Sequence, residues 1–166
     1  IYGTTMFLLY MFSTMVHSLP QGKGKYVFEI LDHSSIYFFI AGTYTPFLLV
    51  VVKGVLGWTL FGIIWAMAIG GTIFKIFFVR KFLFTSTILY IVMGWLIVFA
   101  WSSISAVLAP KGLILLVLGG VLYTVGAIFY VWRGFKYNHL VWHIFVMAAS
   151  VCHFFCILFY VLPIAV

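Results

Sequence analysis

The stretch GWTLFGIIWAMAIGGTIFKIFFV, residues 57–79, carries a single charged side chain, Lys75, and its reading decides the fold. A run of this length matches the roughly 20 apolar residues that take an α-helix across a hydrocarbon core. Five more such runs flank it, at residues 1–19, about 36–52, 82–101 or a little beyond, 112–132 and 139–162. Within a bilayer, backbone N–H and C=O groups must be satisfied inside the segment or in a closed sheet. These runs are continuous rather than alternating, so they read as helices and exclude a barrel. The expectation is an all-α integral membrane protein, a single transmembrane domain over residues 1–166, built as an up-and-down helix bundle of six spans. Ile1 already lies inside an apolar run, so a seventh span is expected upstream of it.

Composition agrees. With 66% hydrophobic and 7% charged residues, the chain has too little polar surface to coat a water-soluble domain. The net charge of +7 sits in short connections and forms no continuous basic stripe, which argues against nucleic acid as a partner. Lys23, Lys25, Lys75, Arg80, Lys81, Arg133 and Lys136 fall in the first, third and fifth connections, whereas the second and fourth hold only Lys53 and Lys111. Positive residues favour the inner side, so the odd-numbered connections are expected in the cytoplasm of a multi-pass cell-membrane protein. Cys152 and Cys156 both lie in the last run, where they read as small apolar fillers rather than a disulfide framework.

Three features within the spans carry packing expectations. Gly62, Ala66 and Gly70 repeat at four-residue spacing, which lets membrane helices approach closely. Thr43 and Thr45 beside Pro46 predict a kink, because proline frees a carbonyl that threonine hydroxyls can satisfy. Trp58, Trp101 and Trp132 read as interfacial anchors.

The chemistry gathers at one membrane depth. In NHLVWH, residues 138–143, the imidazoles of His139 and His143 stand four residues apart and leave one helix face, so both can reach one ion. His17 ends the first span and Asp32 and His33 begin the second, on the same side by the topology above; Ser13 lies one turn deeper than His17 on its helix face. Ionisable groups inside a membrane are costly and tend to be paired and functional. Three neutral imidazoles suit Zn²⁺ with a fourth position for water, Asp32 can take a proton from that water, and Ser13 can donate to an oxyanion. Each residue also has a plainer reading. A lone interfacial histidine such as His17 is commonly a helix-end group, and Asp32 before Ser34 and Ser35 can cap a helix start. His33 points about 100° away from Asp32 and reads as a supporting or solvated group, and Glu29 as facing water. His153, about 15 Å deeper than His143, reads as a hydrogen-bonded core residue.

STMVH (residues 13–17), LDHSSIYFFIAGTYTPF (31–47), GGVLYTVGAIFY (119–130) and HLVWHIFV (139–146) together resemble the hemolysin III family, which is similar to the progestin and adipoQ receptors, including the adiponectin receptors. The resemblance implies a seven-helix fold with zinc near the cytoplasmic face, held by histidines that match His17, His139 and His143. It further implies that the family's aspartate and serine match Asp32, bound through water, and Ser13. Related alkaline ceramidases make hydrolysis of a lipid amide or ester the leading expectation, with a membrane lipid as substrate or ligand. Two other classes stay open: a pore-forming, cytolytic protein, and a membrane sensor or receptor whose zinc is structural.

Overall fold

The computed structural model describes residues 1–132 and 134–165; Arg133, one of the cations counted above, lies outside them. All regular structure among the described residues is helical, in six rods joined by short connections. The first rod is α1 (Tyr2–Ser18), stopped where Leu19 turns extended ahead of Pro20, as a residue preceding proline prefers. The second is α2 (Lys23–Pro46), which continues as a π-helical segment, Phe47–Val52, and ends where Lys53 and Gly54 take positive φ angles of 55° and 57°. The third is α3 (Gly54–Phe78). The fourth is broken: α4 (Leu83–Trp95), a 3₁₀ segment over Leu96–Ala100, then α5 (Trp101–Val107). The fifth is α6 (Pro110–Val131), with proline at its start where no N–H partner is missed. The sixth is α7 (Asn138–Cys156), a π-helical segment over Ile157–Val161, and α8 (Leu162–Ala165). Five of these rods have the length and hydropathy of membrane spans. At 17 residues, α1 reaches about 25 Å, close to the thickness of the hydrocarbon core.

Several expectations need adjusting. The second rod starts at Lys23 rather than near residue 36, because its first three turns are helical without being uniformly apolar. Lys75 belongs to the last turns of α3 and not to a connection; its side chain is wholly buried and its Nζ has no hydrogen-bond partner. The Gly62, Ala66, Gly70 stripe faces outward, and a Cβ added at Gly62 or Gly70 would meet nothing within 4 Å. Close packing instead uses Gly112, Gly119 and Gly126 of α6. Cβ atoms there would press on Tyr160, on the His153 ring and on Phe145, respectively, all from the sixth rod. Seven residues make nearly two turns, so these glycines share one face and let α6 and α7 lie against each other.

The kink chemistry also differs in detail. Thr43 and Thr45 hydroxyls donate to Phe39 O and Ala41 O, each at 2.8 Å, and the irregular segment follows Pro46 as a π-helical stretch. The break in the fourth rod is held from α2. Tyr44 lies with its OH 2.8 Å from Met93 O and 2.7 Å from Gly94 O, and it accepts from Ile97 N at 2.8 Å. One phenol thereby replaces helix hydrogen bonds that the 3₁₀ segment gives up, as non-helical backbone at membrane depth requires. Trp58, Trp101 and Trp132 are exposed. Cys156 is buried and donates to Gly112 O, and neither cysteine is in a disulfide.

Candidate metal centre

His17 is in the last turn of α1 and His139 and His143 open α7, and the packing of these rods brings the three rings together. His17 Nε2 is 3.2 Å from His139 Nε2, which is 3.1 Å from His143 Nε2. One ligand atom from each lies within 4.8 Å of the other two. Nitrogens that bind one tetrahedral zinc at about 2.0–2.1 Å are themselves separated by a little over 3 Å, so the donor set fits such an ion. The tautomer fits as well. His17 Nδ1 donates to Ser13 O at 2.8 Å, which turns the Nε2 lone pair toward the other two rings. His17 and His139 are exposed and His143 half-buried, so the cluster is reached from the end of the bundle.

Asp32 lies one layer in. Its carboxyl is partly buried, within hydrogen-bonding reach of Ser13 and near His17. The carboxylate is 3.8 Å from His33 Nδ1, but that nitrogen donates to Glu29 O at 2.8 Å instead. His33 Nε2, left as a lone pair, meets the Tyr130 hydroxyl at 3.2 Å. His33 therefore stands outside the histidine cluster in a supporting position. Glu29 is not simply solvated: Arg80 grips it with Nε at 2.7 Å and Nη2 at 3.1 Å, tying the α3–α4 connection to α2, and the carboxylate pushes the guanidinium still further up. His153 is where expected, buried, with Nε2 donating to Leu116 O at 3.1 Å.

The centre opens into a cavity that sequence reading did not foresee. Ser13, Asp32, His139 and His143 line one end, and Thr43, Tyr44, Trp95 and His153 the other. The space between atoms is ≈ 1170 Å³, counting the part open to solvent. From His139 to His153 its wall follows α7 for about 21 Å. A smaller void beside the break in the fourth rod shares Tyr44, Gly94, Trp95 and His153 with it. Most wall residues between the two ends are apolar, Leu9, Ile36, Phe39, Ile91 and Val146 among them. A polar head at the cluster and an apolar chain along the wall describe what the space can hold.

A family model described as Haemolysin-III related matches residues 1–154. The chain is 57% identical to Hemolysin-3 of Bacillus cereus over 99% of its own length and 75% of that protein's. It is 52% identical to the Hemolysin-3 homolog of Bacillus subtilis (strain 168), over 96% of this chain and 75% of the relative. The human Monocyte to macrophage differentiation factor is 31% identical over 95% of this chain and 67% of its own length. No solved structure matches the chain. A helical bundle with span-length apolar rods, matched along nearly its whole length by these relatives, belongs to the hemolysin III family of membrane proteins.

Proposed function

We propose that the chain is a zinc-dependent hydrolase that cuts an amide or ester bond of a membrane lipid, near the cytoplasmic face of the cell membrane. The observation that carries this reading is the convergence of three histidine Nε2 atoms, with Asp32 and Ser13 beside them, at the mouth of an apolar cavity. His17, His139 and His143 would hold the ion, which supplies Lewis-acid polarisation and a water acidified toward a pKa of about 7. Asp32 would take a proton from the attacking water and pass it to the leaving nitrogen or oxygen. The Ser13 hydroxyl, beside Asp32, would donate to charge developing on the carbonyl oxygen. Leu9, Phe39 and Val146 would hold the acyl chain and keep water away from it. The cytoplasmic orientation rests on the cations at this end, Lys23, Lys25, Arg80 and Lys81 among them.

The test is metal analysis of the purified chain alongside lipid turnover followed by mass spectrometry. One zinc per chain, and turnover lost in Asp32→Asn while zinc stays, is the expected result. A folded, metal-free native protein, or undiminished turnover in Asp32→Asn, sinks it.

The name Hemolysin-3 carried by a relative favours a second reading, cytolysis through a pore. Pores want polar side chains along several whole helices. Bilayer conductance that persists in His143→Ala would support that reading, and a lipid-dependent signal that survives Asp32→Asn would support a sensor with structural zinc.

A further inference from the structure

The inner part of the cavity has a one-sided hydrogen-bonding character. Ser150 is its hub: its Oγ donates to Val146 O at 2.8 Å, so the one hydroxyl proton is committed. Tyr10 and Tyr123, each 2.8 Å from Ser150 Oγ, must then both give their protons to it. Both phenols belong to residues of the cavity wall, and each oxygen keeps lone pairs. Thr43 donates to Phe39 O, Thr124 to Gly120 O, and the Trp95 indole to Thr124 at 3.0 Å. His153 completes the set. Leu116 O can only accept, so Nε2 carries the proton of this buried ring; Nδ1 is a lone pair with no partner, closed off from water. A charged ring there would lack any counter-ion at membrane depth. Each of these inner side-chain protons points into the protein, and what is left for an occupant is acceptors.

Depth is fixed from two helices independently. Tyr10 precedes His17 by seven residues and Ser150 follows His143 by seven, each about 10 Å, and His153 is about 15 Å from His143. These depths fall near the middle of a long acyl chain whose head lies at the histidines.

We infer that the inner cavity recognises a lipid whose acyl chain carries a hydroxyl group near its middle, donated to the phenol oxygens of Tyr10 and Tyr123. The inference rests on the proposed acyl-chain cavity and names its substrate class more narrowly. A mid-chain hydroxyl finds lone pairs there, a mid-chain ketone meets lone pairs with lone pairs, and a saturated chain leaves the acceptors unused.

The experiment is displacement of a fluorescent fatty acid from the full chain in detergent micelles by stearate, 3-hydroxystearate, 12-hydroxystearate and 12-oxostearate. The 12-hydroxy acid is expected to displace at about tenfold lower concentration than stearate, as one well-placed hydrogen bond allows. The 3-hydroxy acid should match stearate and the 12-oxo acid should be weaker. In Tyr10→Phe and in Tyr123→Phe the ratio of 12-hydroxystearate to stearate affinity should fall toward one. Equal displacement by stearate and its 12-hydroxy form in the native chain overturns this inference and leaves the acyl cavity standing. Failure of all four acids to displace overturns both, and an unchanged ratio in both variants assigns the hydroxyl elsewhere.

Discussion

His143 and His153 share one helix, ten residues apart, and their surroundings are opposite. At the end of the bundle, three imidazoles bring their Nε2 atoms together, with the His17 lone pair turned toward the other two rings, an arrangement suited to a shared cation. Deeper in, His153 is pinned through Nε2 to a backbone carbonyl and packed on Gly119, with Nδ1 sealed from water, and the Tyr44 phenol is bonded to protein through both its proton and its oxygen. Polar groups bonded across the helices hold the rods together, whereas the facing imidazoles form a candidate ion site.

The sharpest way to break that contrast is His143→Ala, which should take zinc from one per chain to none while helicity by circular dichroism stays native. Retained metal would put the ion elsewhere. Acid should act in the same direction, since protons compete with metal for imidazole; zinc retained equally at pH 5 and pH 8 in equilibrium dialysis would contradict the triad. Next in size is Gly119→Ala, which drives a Cβ into the His153 ring and should cost about 1–3 kcal/mol by overpacking, read as a lower unfolding midpoint in detergent. Tyr44→Phe should cost a similar ~1–3 kcal/mol, because Ile97 N–H and the Met93 and Gly94 carbonyls lose their partner at membrane depth. The smallest effect belongs to Gly62→Ala, within about 0.5 kcal/mol, since nothing lies near its added methyl. A Gly62→Ala loss as large as that of Gly119→Ala would mean the outward stripe of α3 is a packed surface after all.

The same pair of glycine helices shows what the sequence could and could not tell. Span positions were legible because a run of apolar residues has one economical solution in lipid, and the histidines were legible because four-residue spacing and shared depth are visible without coordinates. The packing glycines are not legible in this way. Four-residue spacing drew attention to α3, whereas the tight contact uses seven-residue spacing in α6, and which face meets a neighbour depends on the rotation of a helix that hydropathy does not fix. The start of α2 is hidden from hydropathy for a related reason: residues 23–35 are helical but not continuously apolar. The charge of Lys75 points to a connection, although α3 runs on past it to Phe78. The cavity was invisible because it is made of absences between five rods rather than of any motif.

The interruption in the fourth rod has a consequence for assembly. Its backbone groups at Met93, Gly94 and Ile97 are satisfied by a phenol that arrives from another part of the chain. A peptide of residues 83–107 inserted alone into a bilayer would have no such phenol and should close into one uninterrupted α-helix. The 3₁₀ interruption is then acquired when neighbours dock, after insertion, and the void it borders comes into being at that moment.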